Sequence, residues 1–166
     1  MRTHTLQELA EILPSRGRLL GLDPGERTIG LAISDRDRRV ASPLTTIWRR
    51  KFSLDGQELR KLLDEREAVA LVIGLPVNMD GSEGPRCQSV RQFARNLIEI
   101  TELTQPIAFW DERLSTRAVE RFMIEEADMT RQQRISRVDK MAAAYILQGA
   151  LDALKNMTNE GPDSAE

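Results

Sequence analysis

One run of residues restricts the fold more than any other. Residues 68–73 read Ala-Val-Ala-Leu-Val-Ile, with no polar residue among them. A strand with one wet face would alternate, so this run reads as a strand covered on both faces, as at the centre of a parallel sheet. Parallel neighbours need crossover connections, and these supply the helices that cover both faces. A chain of 166 residues has room for one such α/β domain with a sizeable core.

The flanking segments fit that frame. Residues 18–23 form a second apolar run, which stops at Pro24-Gly25. Residues 28–34 follow after a gap short enough for a hairpin, so these two strands pair antiparallel. Residues 40–48 read as a third strand. Helices are expected over 54–65, with Leu54, Leu59, Leu62 and Leu63 inward and Ser53 or Asp55 as cap, and over 85–103, with Val90, Phe93, Ala94, Leu97 and Ile98 inward. Residues 107–111 make the last strand. A helix over 116–127, a basic connection over 128–137 and a final helix over 138–157 complete the order. The expectation is a mixed five-stranded sheet with helices on both faces. Residues 1–17 read as a helical extension, with Thr5 and Glu8 in a capping-box pattern. Residues 18–157 form the main domain, and 158–166 a flexible tail.

Composition removes several function classes. The single cysteine, Cys87, forbids an internal disulfide framework, and with one histidine, His4, a zinc site of His and Cys is excluded. Cys87 reads as a small helix residue rather than a nucleophile, and Trp48 and Trp110 as core rather than base-stacking platforms. Any metal must be held by oxygen, which points to Mg2+ or Mn2+. No apolar run could span a bilayer and no signal peptide is visible, so the cytoplasm is the expected location. The formal net charge of −2 does not suit a generic nucleic-acid coat protein, yet 20 of the 24 basic residues are Arg, whose planar fork matches phosphate oxygens.

In open α/β sheets ligands sit beyond the carboxyl ends of the parallel strands. Asp23 closes the first strand, Asp111 and Glu112 close the last, and Asp139 opens the final helix. Each has an ordinary structural explanation: turn chemistry for Asp23, a local ion pair for Asp111-Glu112-Arg113, the helix dipole for Asp139. Their convergence at one sheet edge would be unfavourable unless cations neutralised it. Two divalent ions would do so, and would stabilise the attacking and leaving oxygens of a phosphoryl transfer.

The segment Leu22-Asp23-Pro24-Gly25-Glu26-Arg27-Thr28-Ile29-Gly30-Leu31-Ala32 resembles the opening motif of the RuvX (YqgF) family. Three later blocks agree in order and spacing: Gly74-Leu75-Pro76-Val77-Asn78-Met79-Asp80-Gly81, Asp111-Glu112-Arg113-Leu114-Ser115-Thr116 and Val138-Asp139-Lys140-Met141-Ala142. The resemblance covers about residues 18–155. It implies an RNase H-like fold and metal-dependent phosphodiester hydrolysis. It also implies either maturation of the 5′ end of pre-16S ribosomal RNA or resolution of Holliday junctions. On the same resemblance Asp23, Glu112 and Asp139 are the catalytic, metal-holding acids, and Glu112 is preferred to Asp111. Alternation shows only that those two face opposite ways. Two departures weaken a junction-resolving role. The fourth strand ends in Gly74-Leu75-Pro76 where a better-known resolvase relative has a catalytic Glu, and Ala142 stands where that relative has a second acid. Arg27 replaces the usual Lys and keeps the charge.

The expected substrate contacts are Arg27, Asn78, Arg113, Arg134 and Arg137, the last two beside Asp139 together with Arg131. Asn78 reads more readily as loop support than as a phosphate contact. The pairs Arg91/Arg95 and Arg117/Arg121, each one helical turn apart, read as solvated surface. The expected partner is structured RNA or DNA, bound by a monomer or weak homodimer. Two other classes compete. An ATPase module of the actin/Hsp70 type shares an Asp-x-Gly grip but needs a second such domain, for which the chain is too short. A non-catalytic nucleic-acid binder would not need all three acids.

Overall fold

The computed structural model describes residues 3–114 and 130–159. The chain runs β1 (Thr3–His4), α1 (Leu6–Ile12), β2 (Arg18–Pro24), β3 (Thr28–Ser34), β4 (Ala41–Trp48), α2 (Phe52–Glu65), β5 (Ala68–Leu75), α3 (Pro85–Glu99), β6 (Ile107–Asp111), a 3-10 turn (Glu112–Leu114) and α4 (Arg131–Asn159). The helix expected over 116–127, with Arg117 and Arg121, lies outside the described residues, as do the first residues of the expected connection and most of the tail.

The strands form one sheet in the order β1-β6-β5-β2-β3-β4. It has six strands rather than the expected five, because Thr3 and His4 pair in parallel with Ile107 and Ala108. Two residues carry no periodicity, so such a strand leaves no pattern to read. β2 pairs antiparallel with β3, and β3 with β4. β2, β5 and β6 are parallel, with Leu22 opposite Ile73 and Leu75 opposite Asp111. Their carboxyl ends therefore share one edge.

β5 is covered on both faces, as its unbroken apolar run requires. Leu71 and Ile73 face α2 and α3, where Leu59, Leu63, Val90, Phe93 and Leu97 complete one core. Ala70 and Val72 face the other way, against Leu6 and Leu9 of α1 and Ala143, Ile146 and Leu147 of α4.

Several boundaries move for local reasons. Thr5 caps α1 and exchanges hydrogen bonds with Glu8, as its capping-box pattern predicts. Neither Ser53 nor Asp55 caps α2: the helix starts at Phe52 after Lys51, and the buried Asp55 instead accepts the Arg50 backbone N–H at 3.2 Å. Leu54 is exposed rather than inward, and Trp48, expected in the core, is also exposed. α3 ends at Glu99, four residues before the expected end. The largest change is at α4, which begins at Arg131 rather than Val138. Thr130 and Gln133 form a second reciprocal cap, Oγ1 accepting at 3.2 Å and Oε1 at 3.3 Å, so the Arg-rich segment taken for a connection is helical.

Helix α4 lies close over β2 and β3 because glycines leave it room. A Cβ on Gly21 would come within 2.8 Å of the Leu147 Cβ. A Cβ on Gly30 would overlap the backbone carbonyl of Asp139. Backbone on backbone cannot be relieved by a rotamer change. Gly30→Ala is expected to push the start of α4 outward and destabilise the fold by about 1–3 kcal/mol, read as a lower urea midpoint. An unchanged midpoint would show that the helix start yields freely.

Candidate active site

Asp23 stands near the carboxyl end of β2, directly opposite Gly30, and Gly30 is where the Asp139 backbone rests. One close contact thus delivers the acid of α4 to the acid of β2. The side chain of Asp139 is held from below: Thr28, buried on β3, donates its hydroxyl to Oδ2. Glu112 arrives from the third direction. It opens the 3-10 turn after β6, and its carboxyl lies above Gly74 near the end of β5. A Cβ at Gly74 would be 2.7 Å from Glu112 Oε1. Asp23 and Glu112 meet within hydrogen-bonding reach.

Asp111 and Glu112 separate where β6 gives way to the 3-10 turn. Asp111 turns to Arg113, accepting from Nη2 at 2.6 Å and Nε at 2.8 Å, and this cation holds its carboxyl below the usual range. Glu112 turns to Asp23.

The electrostatics are those of acids gathered without enough positive charge. Burial raises the Asp23 carboxyl well above its ordinary value, and the hydrogen bond and charge of Glu112 raise it further. Arg86 acts in the opposite direction. Burial also raises Asp139, against the Thr28 hydrogen bond, and the Asp23 charge adds to the rise. The donor set is three carboxylates with no His or Cys among them, which fits a hard, oxygen-seeking divalent ion. It is not a ready-made cage: among the described residues no three His, Cys, Asp or Glu side chains stand grouped to hold an ion. Asp139 is committed to Thr28 as it stands.

The basic residues divide. Arg27 is exposed in the β2–β3 turn. Arg134 is half-buried and Arg137 exposed, both in the first two turns of α4. Arg113 is engaged by Asp111, and its Nη1 reaches the carbonyls of Asn78 and Met79 at 3.4 Å. It ties the strand end to the 76–84 loop. Asn78 supports that loop: its Nδ2 donates to Ser82 Oγ at 3.1 Å, and its backbone pairs with Ser82 and Gly81. Arg91 pairs with Glu83 at 2.6 Å and lies over the Phe109 ring. Cys87 is fully buried in the α3 core, and burial pushes its thiol up. Two residues were missed from sequence: Thr28, which orients Asp139, and Arg86, the cation acting on Asp23. Arg86 sits just after Pro85 at the start of α3, a position readable as the first turn of a helix but not as a neighbour of β2.

A pH prediction follows from the raised acids. The folded state holds the Asp23 proton more tightly than the unfolded chain, where the carboxyl titrates near ~3.9. The contribution of Asp23 to stability is therefore fully present in acid and is lost as the pH rises through the folded value. In metal-free buffer Asp23→Asn is expected to remove that part of the slope and stabilise the protein at pH 7 by on the order of 1 kcal/mol. Equal denaturation midpoints for parent and variant from pH 4 to pH 8 would refute the strain.

The RuvX family, described as Holliday junction resolvase, matches residues 17–153. A relative from Rhodospirillum centenum, named "Putative pre-16S rRNA nuclease", is 61% identical over 93% of this chain and 84% of its own length. One from Rhodospirillum rubrum with the same name is 59% identical over 94% of this chain and 96% of its own length. Among solved structures, RuvC of T. thermophilus in complex with a Holliday junction substrate is similar at a TM-score of 0.54 and 13% identity, covering 85% of this chain and 97% of that one. The yeast mitochondrial Holliday junction resolvase Ydc2 is similar at a TM-score of 0.51 and 11% identity, over 93% of this chain and 86% of that one. These two likenesses establish the fold, which is the expected RNase H-like one. The motif blocks, the matched span and the close relatives agree: the chain belongs to the RuvX family of nucleases.

Proposed function

We propose that this protein is a divalent-metal-dependent nuclease that hydrolyses phosphodiester bonds in precursor 16S rRNA at its 5′ end. Asp23, Glu112 and Asp139 form its catalytic and metal-holding set. The single observation carrying the reading is that Asp23 of β2 hydrogen-bonds Glu112 of the turn after β6 and lies close enough to Asp139 of α4 for its charge to act there, with Asp23 and Asp139 both raised chiefly by burial. A purely structural cluster would have recruited a cation of the chain into the gap. Here the nearby Arg86 only partly offsets the charge.

Mg2+ or Mn2+ bound there would supply the positive charge that activates water and stabilises the oxygens of the displaced phosphate. The protein does the rest by positioning. Gly30 and Gly74 let α4 and Glu112 approach the strand ends. Thr28 fixes the Asp139 carboxylate. Arg113, with Asp111 behind it, anchors the 76–84 loop beside Glu112. Arg86, Arg134 and Arg137 are the Arg side chains around the site for phosphate oxygens to engage. The RNA reading rests on the names of close relatives. A junction-resolving DNA reading has less support, since Gly74 and Ala142 stand where a resolvase relative has acids.

Cleavage of a precursor 16S transcript is expected with Mg2+ or Mn2+, to be abolished by chelation and by Asp23→Asn, with a four-way DNA junction cut poorly under the same conditions. An active, contaminant-free Asp23→Asn protein would remove the mechanism. Thr28→Val leaves all three acids in place but frees Asp139. It is expected to lower cleavage by about 10–100-fold, the usual effect of losing a group that orients a metal ligand, and raising the metal concentration should partly restore it. Full activity in Thr28→Val at limiting metal would show that Asp139 needs no such support.

A further inference from the structure

The edge strand β4 carries an exposed tryptophan that neither core uses. Trp48 is 39% exposed and stands opposite Thr28 in the β3–β4 ladder. Residues directly opposite in an antiparallel pair project to the same face. Thr28 points to Asp139, so Trp48 lies on the α4 side of the sheet, one strand further out from the acids. Two residues back, Thr46 lies opposite Gly30 and donates its hydroxyl to the Ser136 carbonyl at 2.7 Å. This bond ties the first turns of α4 to the edge strand. Between them is an open groove of about 830 Å³, with Trp48 and Pro43 on one wall and Ser136, Arg137, Lys140 and Met141 on the other. Among the described residues its charged lining is cationic, and no acid contributes to it. Arg137 and Lys140 bracket Asp139 in sequence, so the groove opens beside the candidate catalytic centre.

An exposed aromatic face next to Arg137 and Lys140 matches the chemistry of single-stranded nucleic acid. Every base offers a π-face for stacking, and the adjoining phosphates need positive charge. A duplex has no unstacked base to offer such a face. We propose that the groove between β4 and α4 is a subsite for a single-stranded stretch of nucleic acid flanking the cleaved bond. One base stacks on Trp48, and Arg137 and Lys140 hold the neighbouring phosphates. The proposal rests on the nuclease reading for its position in a reaction, but its binding chemistry does not depend on metal.

The test is equilibrium binding in EDTA, which separates the two readings. Ten-nucleotide oligo-U and oligo-dT are titrated against the full chain, with a blunt duplex as control, following anisotropy and tryptophan fluorescence together. Both single strands are expected to bind and quench fluorescence, and the duplex to cause no quench. Trp48→Phe should keep most of the affinity and lose the quench. Trp48→Ala should lose both, with binding weakened by about tenfold or more. Arg137→Gln and Lys140→Gln should each lower the slope of log affinity against log salt by about 0.7. Because Trp48 is exposed, these variants are expected to keep the parent melting temperature. Oligonucleotide binding unchanged in Trp48→Ala would overturn the subsite, as would an unaltered quench in Trp48→Phe. So would self-association of the parent that Trp48→Ala abolishes without affecting oligonucleotide binding, which would make the groove a contact between copies. Binding and quenching without metal-dependent cleavage would leave the subsite standing and the nuclease reading refuted. Cleavage with no Trp48 effect would do the reverse.

Discussion

The arrangement depends on how closely a helix can lie on a sheet. α4 rests on β3 at a position with no side chain, so the Asp139 backbone sits on Gly30, across the ladder from Asp23. Helices on sheets normally stand off by the thickness of two side-chain layers, which keeps a helix backbone well away from a strand backbone. Here that layer is absent at one point. The consequence is that a carboxylate from a helix late in the chain reaches a carboxylate on the first long strand. The same device recurs at Gly74, where the lack of a Cβ leaves room for Glu112. Two glycines, on the strands that flank β2, thus leave room for Asp139 and Glu112 to approach Asp23.

Bringing acids together works against folding. Burial and mutual repulsion both oppose the charged forms of Asp23 and Asp139, and the rest of the molecule must offset this through its two cores. The strain is of the sort found where a protein is organised around a ligand rather than around itself. Compare Asp111, one residue from Glu112. It has a bidentate Arg113 partner and a lowered carboxyl, and its surroundings are those of a structural ion pair. Adjacent acids thus have different partners: Asp111 pairs with Arg113, and Glu112, at the start of the 3-10 turn, meets Asp23.

Much of this was legible in the sequence, and the unread parts have identifiable physical causes. The unbroken apolar run of β5 and the short β2–β3 gap specified a mixed sheet, because each allows one kind of neighbour. The two-residue β1 escaped because pattern needs length. The start of α4 escaped because Arg131, Arg134 and Arg137 look like a solvated linker, whereas Thr130 and Gln133, a reciprocal cap, carried the signal. Asp23 and Glu112 stand at strand ends as read, whereas Asp139, read as opening the last helix, lies in the third turn of α4, because that helix starts at Arg131. Which of Asp111 and Glu112 turns toward Asp23 was not legible, since alternation distinguishes faces without naming them. Thr28 and Arg86 are visible only once register and helix placement exist. Trp48 was assigned to the core from hydrophobicity alone, but an edge strand has one neighbour and its last residue has open space beside it.

That misreading of Trp48 bears on the organisation of the site. The acids are flanked by two unlike sides. Toward β6 and α3, Arg113 is tied to Asp111 and the 76–84 loop, and Arg91 to Glu83. Those two Arg side chains are committed to acids of the same surface. Toward β4, Arg137 and Lys140 share a groove with an aromatic ring and no acid of the described chain. A long polyanion passing the acids would meet Arg137 and Lys140 beside an aromatic ring on this second side. On the proposed reading, substrate length would run along β4 and the start of α4, away from the β6 side. Since the same helix supplies both Asp139 and the groove's cations, a polyanion seated there would press on the element that carries the third acid. The Thr46–Ser136 and Thr28–Asp139 hydrogen bonds tie that element to β4 and β3.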